Sequence, residues 1–317
     1  MNDLGGSQTP LNIAHFIKEI GRGAKGARDL SRIDAERLLG AILAGEVDEL
    51  QLGAILIGMR IKGESDAELL GFKDALDART PQIVLPSGRP RLVVIPSYNG
   101  ARRQPNLMPL LALLLARVGI PVLIHGRYDF DTRIDPSSMM SILGIPKADS
   151  VAHAARLLEL GCIAFIDLAL LLPSLDNLLA LRPRLGLRNS GHTMVKLLDP
   201  AREHSVRLVA VTHPEYLDKM RKFLLSSHAA ALLFRGTEGE AYANPRRTPQ
   251  MESFQAGHHE IACCAAEGGA PPLDSIPDTN ENAATAELTV AMLSGRIPIP
   301  SPILAQLEVV SRLAHSG

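Results

Sequence analysis

Apolar residues recur at three- and four-residue spacing from Ile13 to about Arg79, through "IAHFIKEI", "DAERLLGAILAGE", "ELQLGAILIGMRIKG" and "SDAELLGFKDALDA". That period predicts a bundle of short helices. Asp29, Asp48 and Ser65 are placed as N-caps, and Glu68, three residues after Ser65, completes a capping box. Pro81 to Pro90, with Ser87 and Gly88 between, breaks the pattern, and beyond it the rhythm changes. "RLVVI", "PVLIH", "CIAFID", "VRLVAVT" and "AALLFRG" are short apolar runs separated by helical stretches, which predicts βαβ units around a buried parallel sheet. The expected organisation is a helical domain over 1–84 and an α/β domain over 85–317. Helices from about 168–198 are expected to rejoin the first. Glu267 to Asn282 reads as a loop, and two helices close the chain.

Composition narrows the function. A chain of 317 residues that is 46% hydrophobic fills a substantial core, but aromatics make up 3% and Trp is absent, so stacking on nucleic-acid bases has little to work with. Lys and Arg number 33 against 34 Asp and Glu, a formal net charge of -1, and any pull on a polyanion must be local. An acidic load on the N-terminal helices and the tail is expected to offset a basic groove elsewhere. The three cysteines, two of them adjacent (Cys263, Cys264), make no disulfide framework. The opening residues carry no apolar signal, and the run from Leu107 to Ile124 is broken by Arg117, Gly119 and Pro121. A cytoplasmic protein without a membrane span is expected.

Several motifs invite chemistry. "GRGAKG" (Gly21–Gly26) fits G-x-G-x-x-G but follows a helix, so it lacks the strand a dinucleotide site needs; it reads as a helix end followed by a basic collar of Arg22, Lys25 and Arg28. His258, His259, Glu260, Cys263 and Cys264 suggest a metal, yet adjacent side chains point apart and seldom serve one tetrahedral ion. His192 and His213 read as buried hydrogen-bonding residues, and no nucleophile is visibly paired with them. No metal and no cofactor are assigned.

Helical opening, Pro-rich hinge, strand and apolar helix, then "GIPVLIHG" and "LGLRNSGHTMVKLLDP", together resemble the anthranilate phosphoribosyltransferase family over nearly the whole chain. "IPSYNGARRQPN", "RNSGHTMVKL", "HPEYL" and "GTEGEAYANP" are more similar to its YbiB-type branch, which implies nucleic-acid binding in place of tryptophan synthesis. The resemblance implies a small helical-bundle domain, a larger doubly wound α/β domain, and a homodimer through the helical domains. It also implies a Gly-Thr-Gly-Gly-Asp-Gly loop after the first strand, whose bare backbone holds pyrophosphate. Pro96, Ser97, Tyr98, Asn99, Gly100 and Ala101 stand there instead. Asn106 is kept where the enzymes have Asn-x-Ser-Thr, but Met108 and Pro109 replace the hydroxyls. "IHGRY" keeps His125 and Gly126 and puts Ile124 in place of the enzymes' lysine, and Glu238 and Glu240 faintly echo a magnesium-binding pair.

Losing several charged contacts, each worth about 1.5–3 kcal/mol, removes most of a micromolar affinity. Asn99, Gly100, Asn106, His125, Glu238 and Glu240 are thus expected to be the remains of a substrate site. A helix beginning near Pro105 would put Arg102 and Arg103 at its N-terminus, where charge and free N–H groups attract phosphate together. With Arg127, Arg133, Arg188 and Lys196 they form the expected phosphate track for DNA or RNA, bound without sequence preference; Arg89, Arg91, Arg182, Arg184 and Arg202 add to the basic count. Composition alone reads the same arginines as solvated surface. A transferase with an altered substrate, using Glu238 and Glu240 for magnesium and Asn106 and Arg188 for the substrate, is the alternative, and a scaffold for protein partners the third.

Overall fold

The computed structural model describes residues 11–23, 25–128 and 133–316, and the chain divides into two compact units. The first comprises residues 1–79 and 178–194, the second residues 80–177 and 195–317. The division thus falls before Thr80, not at Leu85, because the linker belongs to the second unit: the Ile83 N–H donates to the Pro200 carbonyl, and Gln82 joins Asp199 and Arg202. The returning segment is shorter than 168–198, since the chain crosses only at Leu178.

In the first unit, α1 (Ile13–Ile20), α2 (Arg32–Ala44), α3 (Glu49–Lys62) and α4 (Asp66–Arg79) pack as α1 on α3 and α2 on α4. Asp48 caps α3. The Ser65–Glu68 box closes both ways, with the Ser65 N–H on Glu68 Oε2 at 2.7 Å and the Glu68 N–H on Ser65 Oγ at 3.3 Å. Asp29 is not a cap: it pairs with Lys62, and Ser31 caps α2 instead.

The second unit begins with β1 (Leu92–Ser97), α5 (Met108–Arg117), β2 (Val122–Gly126), α6 (Ser137–Ile142), β3 (Lys147–Ala148), α7 (Val151–Gly161), β4 (Ile163–Asp167), α8 (Leu168–Leu171) and α9 (Pro173–Ala180), whose last turn passes into the first unit. There α10 (Arg182–Leu185) and α11 (Gly191–Met194) follow. The chain then returns through a 3-10 turn into β5 (Ser205–Val211), α12 (Glu215–Ser226), β6 (Ala231–Arg235), β7 (Met251–Gln255), β8 (His258–Cys263), α13 (Asn282–Leu293) and α14 (Ser301–His315).

The described strands form one sheet in the order β3-β4-β2-β1-β5-β6-β7-β8, parallel as far as β6 and antiparallel beyond it. Alternate strand residues (Val93, Ile95, Val122, Ile124, Val206, Leu208, Leu232, Phe234) enter a core with α5, α13 and α14. The intervening positions are buried as well, with α7 against β4 and α12 against β6. Each such aliphatic side chain contributes about 1.5–3 kcal/mol by burial. The fold is therefore a helical bundle joined to a doubly wound α/β unit.

Strand order reverses at β1, which lies between β2 and β5, and a parallel sheet opens a ligand crevice at such a point, beyond the carboxyl ends of the strands. The register makes that opening visible. β1 stays paired with β2 out to Ser97↔Gly126, but its pairing with β5 ends at Val94↔Arg207.

A closed anion cradle at the head of β1

β1 is buried along its whole length, and the chain leaves it through "PSYNGARRQPN". Pro96 lies beyond the last β5 partner, so it removes no ladder donor on that side. Tyr98 does not obstruct the loop as its size suggests. Its ring turns into the core, edge-on to His125 at 5.4 Å between centroids, and its hydroxyl shares a 2.6 Å hydrogen bond with His125 Nδ1. The phenol is pushed well above its ordinary range by burial, and burial alone lowers the His125 imidazole to about 3, so the pair is neutral. His125 Nε2, also buried, has no partner among the described residues.

With the side chain stowed, the backbone of the loop is bare after all, and it holds a carboxylate. Glu240, 1% exposed, accepts on Oε1 from the N–H groups of Tyr98 (3.1 Å), Asn99 (2.7 Å) and Gly100 (3.0 Å). Its Oε2 takes the Ser97 hydroxyl and, at 3.5 Å, the Asn106 amide. Glu238 Oε2 accepts from the next two free N–H groups, Arg102 at 2.7 Å and Arg103 at 3.1 Å. The two acids offered by sequence as magnesium ligands are turned inward onto loop donors instead.

The turn that delivers them follows β6 and crosses the end of β5 to reach β1's loop. It is held by Thr237 on the Tyr242 carbonyl, by the Tyr242 hydroxyl on the Pro105 carbonyl, and by Asn99 Nδ2 on the Gly239 carbonyl. Two glycines make the fit possible. Gly100 has φ +67°, and a Cβ there would lie 2.4 Å from the Ile134 carbonyl oxygen; Gly239 has φ +94°, and its Cβ would lie 2.7 Å from Asn99 Cγ. Glu238, immediately before Gly239, carries φ +54° with a full side chain.

The arginines divide by location. Arg102 and Arg103 are exposed, and neither guanidinium has a hydrogen-bond or ion-pair partner among the described residues. They do not precede a helix directly, because α5 starts at Met108, with Pro109 in its first turn and the Met108 N–H on Asn106 Oδ1. Arg133 reaches the Glu238 carbonyl at 2.8 Å, Arg127 pairs with Asp176 at 2.5 Å, and the Lys196 ammonium donates to the Ala210 carbonyl at 2.9 Å. Arg188 belongs to the other unit. Arg89, Arg91 and Arg202 precede β1 and β5, at the opposite edge of the sheet, about 20 Å away for a six-residue strand.

Other sequence candidates resolve locally. Gly21 ends α1, and Arg22 and Arg28 of the basic collar pair with Glu19; Ala24 of that motif lies outside the described residues. The His258–Cys264 cluster is spread along β8 at the sheet edge, where His259 meets Glu252 at 2.9 Å and Glu260 takes Ser253 at 3.0 Å. Among the described residues no group of three or more His, Cys, Asp or Glu is placed to hold a metal, and no helix is long and apolar enough to cross a membrane. His192 lies beside Asn189, whereas His213 is exposed beyond β5. Sequence reasoning missed the roles of Ser97 and Tyr98, and it missed exposed Arg235 at the end of β6, on the same sheet edge as Arg102 and Arg103.

Comparison with known proteins gives a consistent result. Residues 14–80 match the helical bundle domain of a glycosyl transferase family. The YbiB protein of Escherichia coli (strain K12) is 40% identical over 298 residues, covering 94% of this chain and 92% of YbiB. An anthranilate phosphoribosyltransferase of Thermomicrobium roseum is 25% identical over 256 residues, 80% of this chain and 73% of the enzyme. Among solved structures, anthranilate phosphoribosyltransferase from Thermus thermophilus superposes with a TM-score of 0.70 at 19% identity, covering 95% and 87% of the two chains. The Saccharomyces cerevisiae enzyme in complex with PRPP and Mg gives 0.73 at 15% identity, covering 95% and 88%. These two likenesses concern the fold.

Proposed function

We propose that this chain, which belongs to one family with YbiB and is similar to anthranilate phosphoribosyltransferases, is a noncatalytic protein that binds DNA or RNA by charge, without reading sequence. The observation that carries the noncatalytic half is the Glu240 carboxylate on the N–H groups of Tyr98, Asn99 and Gly100. An anion already sits where a diphosphate would have to sit, and displacing it costs hydrogen bonds to a charged acceptor worth about 1.5–3 kcal/mol each. Glu238 and Glu240 are spent on this closure, which leaves the altered-substrate transferase without its magnesium ligands.

Support for the polyanion half is the exposed pair Arg102 and Arg103, with Arg133 and Arg235 at the same edge of the sheet. Flexible guanidinium groups on a surface suit repeated phosphates, which require charge more than shape. A homodimer through the helical unit is part of the proposal. On α3 an apolar stripe of Leu50, Ala54, Ile57 and Ile61 runs at four- and three-residue spacing on the outer face, with Leu50 85% and Ile61 69% exposed. The three cysteines, all free, suit a reducing, cytoplasmic setting.

The test is an anisotropy titration of single- and double-stranded oligonucleotides across a salt series, on wild type and on R102E/R103E. Binding that falls with salt, and falls further in the variant for every oligonucleotide, is expected. Wild type that binds none of them refutes the reading, and an unchanged variant refutes these residues. Saturable micromolar binding of PRPP with Mg²⁺ in calorimetry would return the transferase to first place.

A further inference from the structure

We infer that β8 is a self-pairing edge, through which a second copy of this chain continues the sheet in antiparallel register about a two-fold axis at His259. The contact is separate from the helical stripe and from the crevice at β1. Among the described strands the two edges differ: β3 is two residues long, whereas β8 has six, and His258, His259, Glu260 and Ile261 are all exposed. An uncovered edge presents a row of free N–H and C=O groups, which proteins blunt with Lys or Pro. β8 carries neither.

The ladder fixes which groups are free. Opposite pairs in an antiparallel ladder alternate between those that exchange both hydrogen bonds and those that exchange none. Gln255 and His258 flank a two-residue turn, with Ala256 at φ +50° and Gly257 at φ +79°, and so exchange both. His259 and Ile261 therefore point their N–H and C=O groups away from β7. The turn bounds this regular edge at one end, and at the other a register shift that skips Ala262 bounds it after Ile261.

Charge then chooses the register. A two-fold axis through paired copies must pass through a residue, because opposite side chains share a face, and the two central positions are His259 and Glu260. An axis at Glu260 sets that carboxylate against its own copy, which is unfavourable. An axis at His259 sets each His258 against Glu260 of the other copy. Both groups have capacity for this: the His258 imidazole has no hydrogen-bond partner among the described residues, and Glu260 spends Oε1 on the Ser253 hydroxyl at 3.0 Å, leaving Oε2. With Ser253 and Leu313 of α14 they line a groove of about 430 Å³, into which the incoming imidazole would project.

Single cysteines placed in a C162S/C263S/C264S protein, oxidised mildly and followed on a denaturing gel, test the register. H259C is expected to cross-link to itself, since the Cα atoms of a hydrogen-bonded pair stand about 5.5 Å apart, within reach of a disulfide. I261C, about 14 Å from its own copy in this register, is expected to cross-link at least about tenfold more slowly. H258C and E260C are expected to cross-link when mixed and not alone. Adding H258E to H259C should slow the link about tenfold, since symmetry counts each pair twice, and E260H in the same chain should restore it. No link from H259C above the cysteine-free protein, equal rates for H259C and I261C, or a rate unmoved by H258E each overturns the inference and leaves the edge to a strand of another protein. If H259C does not fold, the mixed pair decides. The link reports the proximity of two β8 strands alone, so it stands or falls apart from the helical dimer and from nucleic-acid binding.

Discussion

A fully buried neutral imidazole links the stability of this chain to pH. His125 has a folded pKa of about 3, set by burial, against an ordinary value near 6.5. Below about 6.5 the unfolded chain takes up a proton that the folded chain refuses, so stability is present above that value and is lost as pH falls towards 3, at about 1.4 kcal/mol per unit. Urea unfolding at pH 6.5 and pH 5 should show wild type losing about 2 kcal/mol more than H125Q over that interval; equal losses would rule this account out. The sequence displayed His125, Asn99, Gly100, Asn106, Glu238 and Glu240 as a set, and the structure brings Asn99, Gly100 and Asn106 onto Glu240. What it hid was direction. Whether Tyr98 blocks the loop or leaves it bare depends on a pocket beside His125 that β2 supplies, and whether Glu240 faces a metal or an amide depends on a turn about 140 positions along the chain. Neither has a local signal.

At the scale of elements, α1 to α4 and the five long apolar strands were legible because their periodicity is local and strong. β3 is two residues long, and β8 reads "HHEIAC", a polar edge strand whose pairing comes from β7 and not from its own pattern. The start of α5 was misplaced by three residues, since Pro105 suits a first turn but Asn106 supplies the bond that begins the helix. α3 shows a different kind of legibility. Its spacing announces a helix, yet its outer stripe is apolar, and a stripe of that kind calls for a partner. Replacing Leu50 and Ile61 by Glu should leave thermal stability within about 1 kcal/mol, because both side chains are exposed. Sedimentation should then move from dimer to monomer, and unchanged sedimentation of a dimeric wild type would place the interface elsewhere.

For the molecule as a whole, the first unit carries as many Lys and Arg as Asp and Glu, so the near-zero total is not an acidic unit offsetting a basic one. Within that unit the acidic excess expected on the N-terminal helices is present, 13 Asp and Glu against 10 Lys and Arg over residues 1–79, and Arg182, Arg184 and Arg188 of the returning segment offset it. Under the proposed function, attraction to nucleic acid has short range, and the salt slope should be shallow, losing about 0.7–0.9 for each phosphate contact removed, and so by about 2 units in R102E/R103E. A slope unaltered by the double substitution would assign the contacts to other cations. The bridge from the end of β6 to the loop after β1 has a last consequence, kinetic in kind. The protons on the Tyr98, Asn99 and Gly100 nitrogens are tied to a residue that reaches them only when the sheet between is assembled. In deuterated water these three should exchange on the slow schedule of the strands, opening only as the entire α/β unit opens.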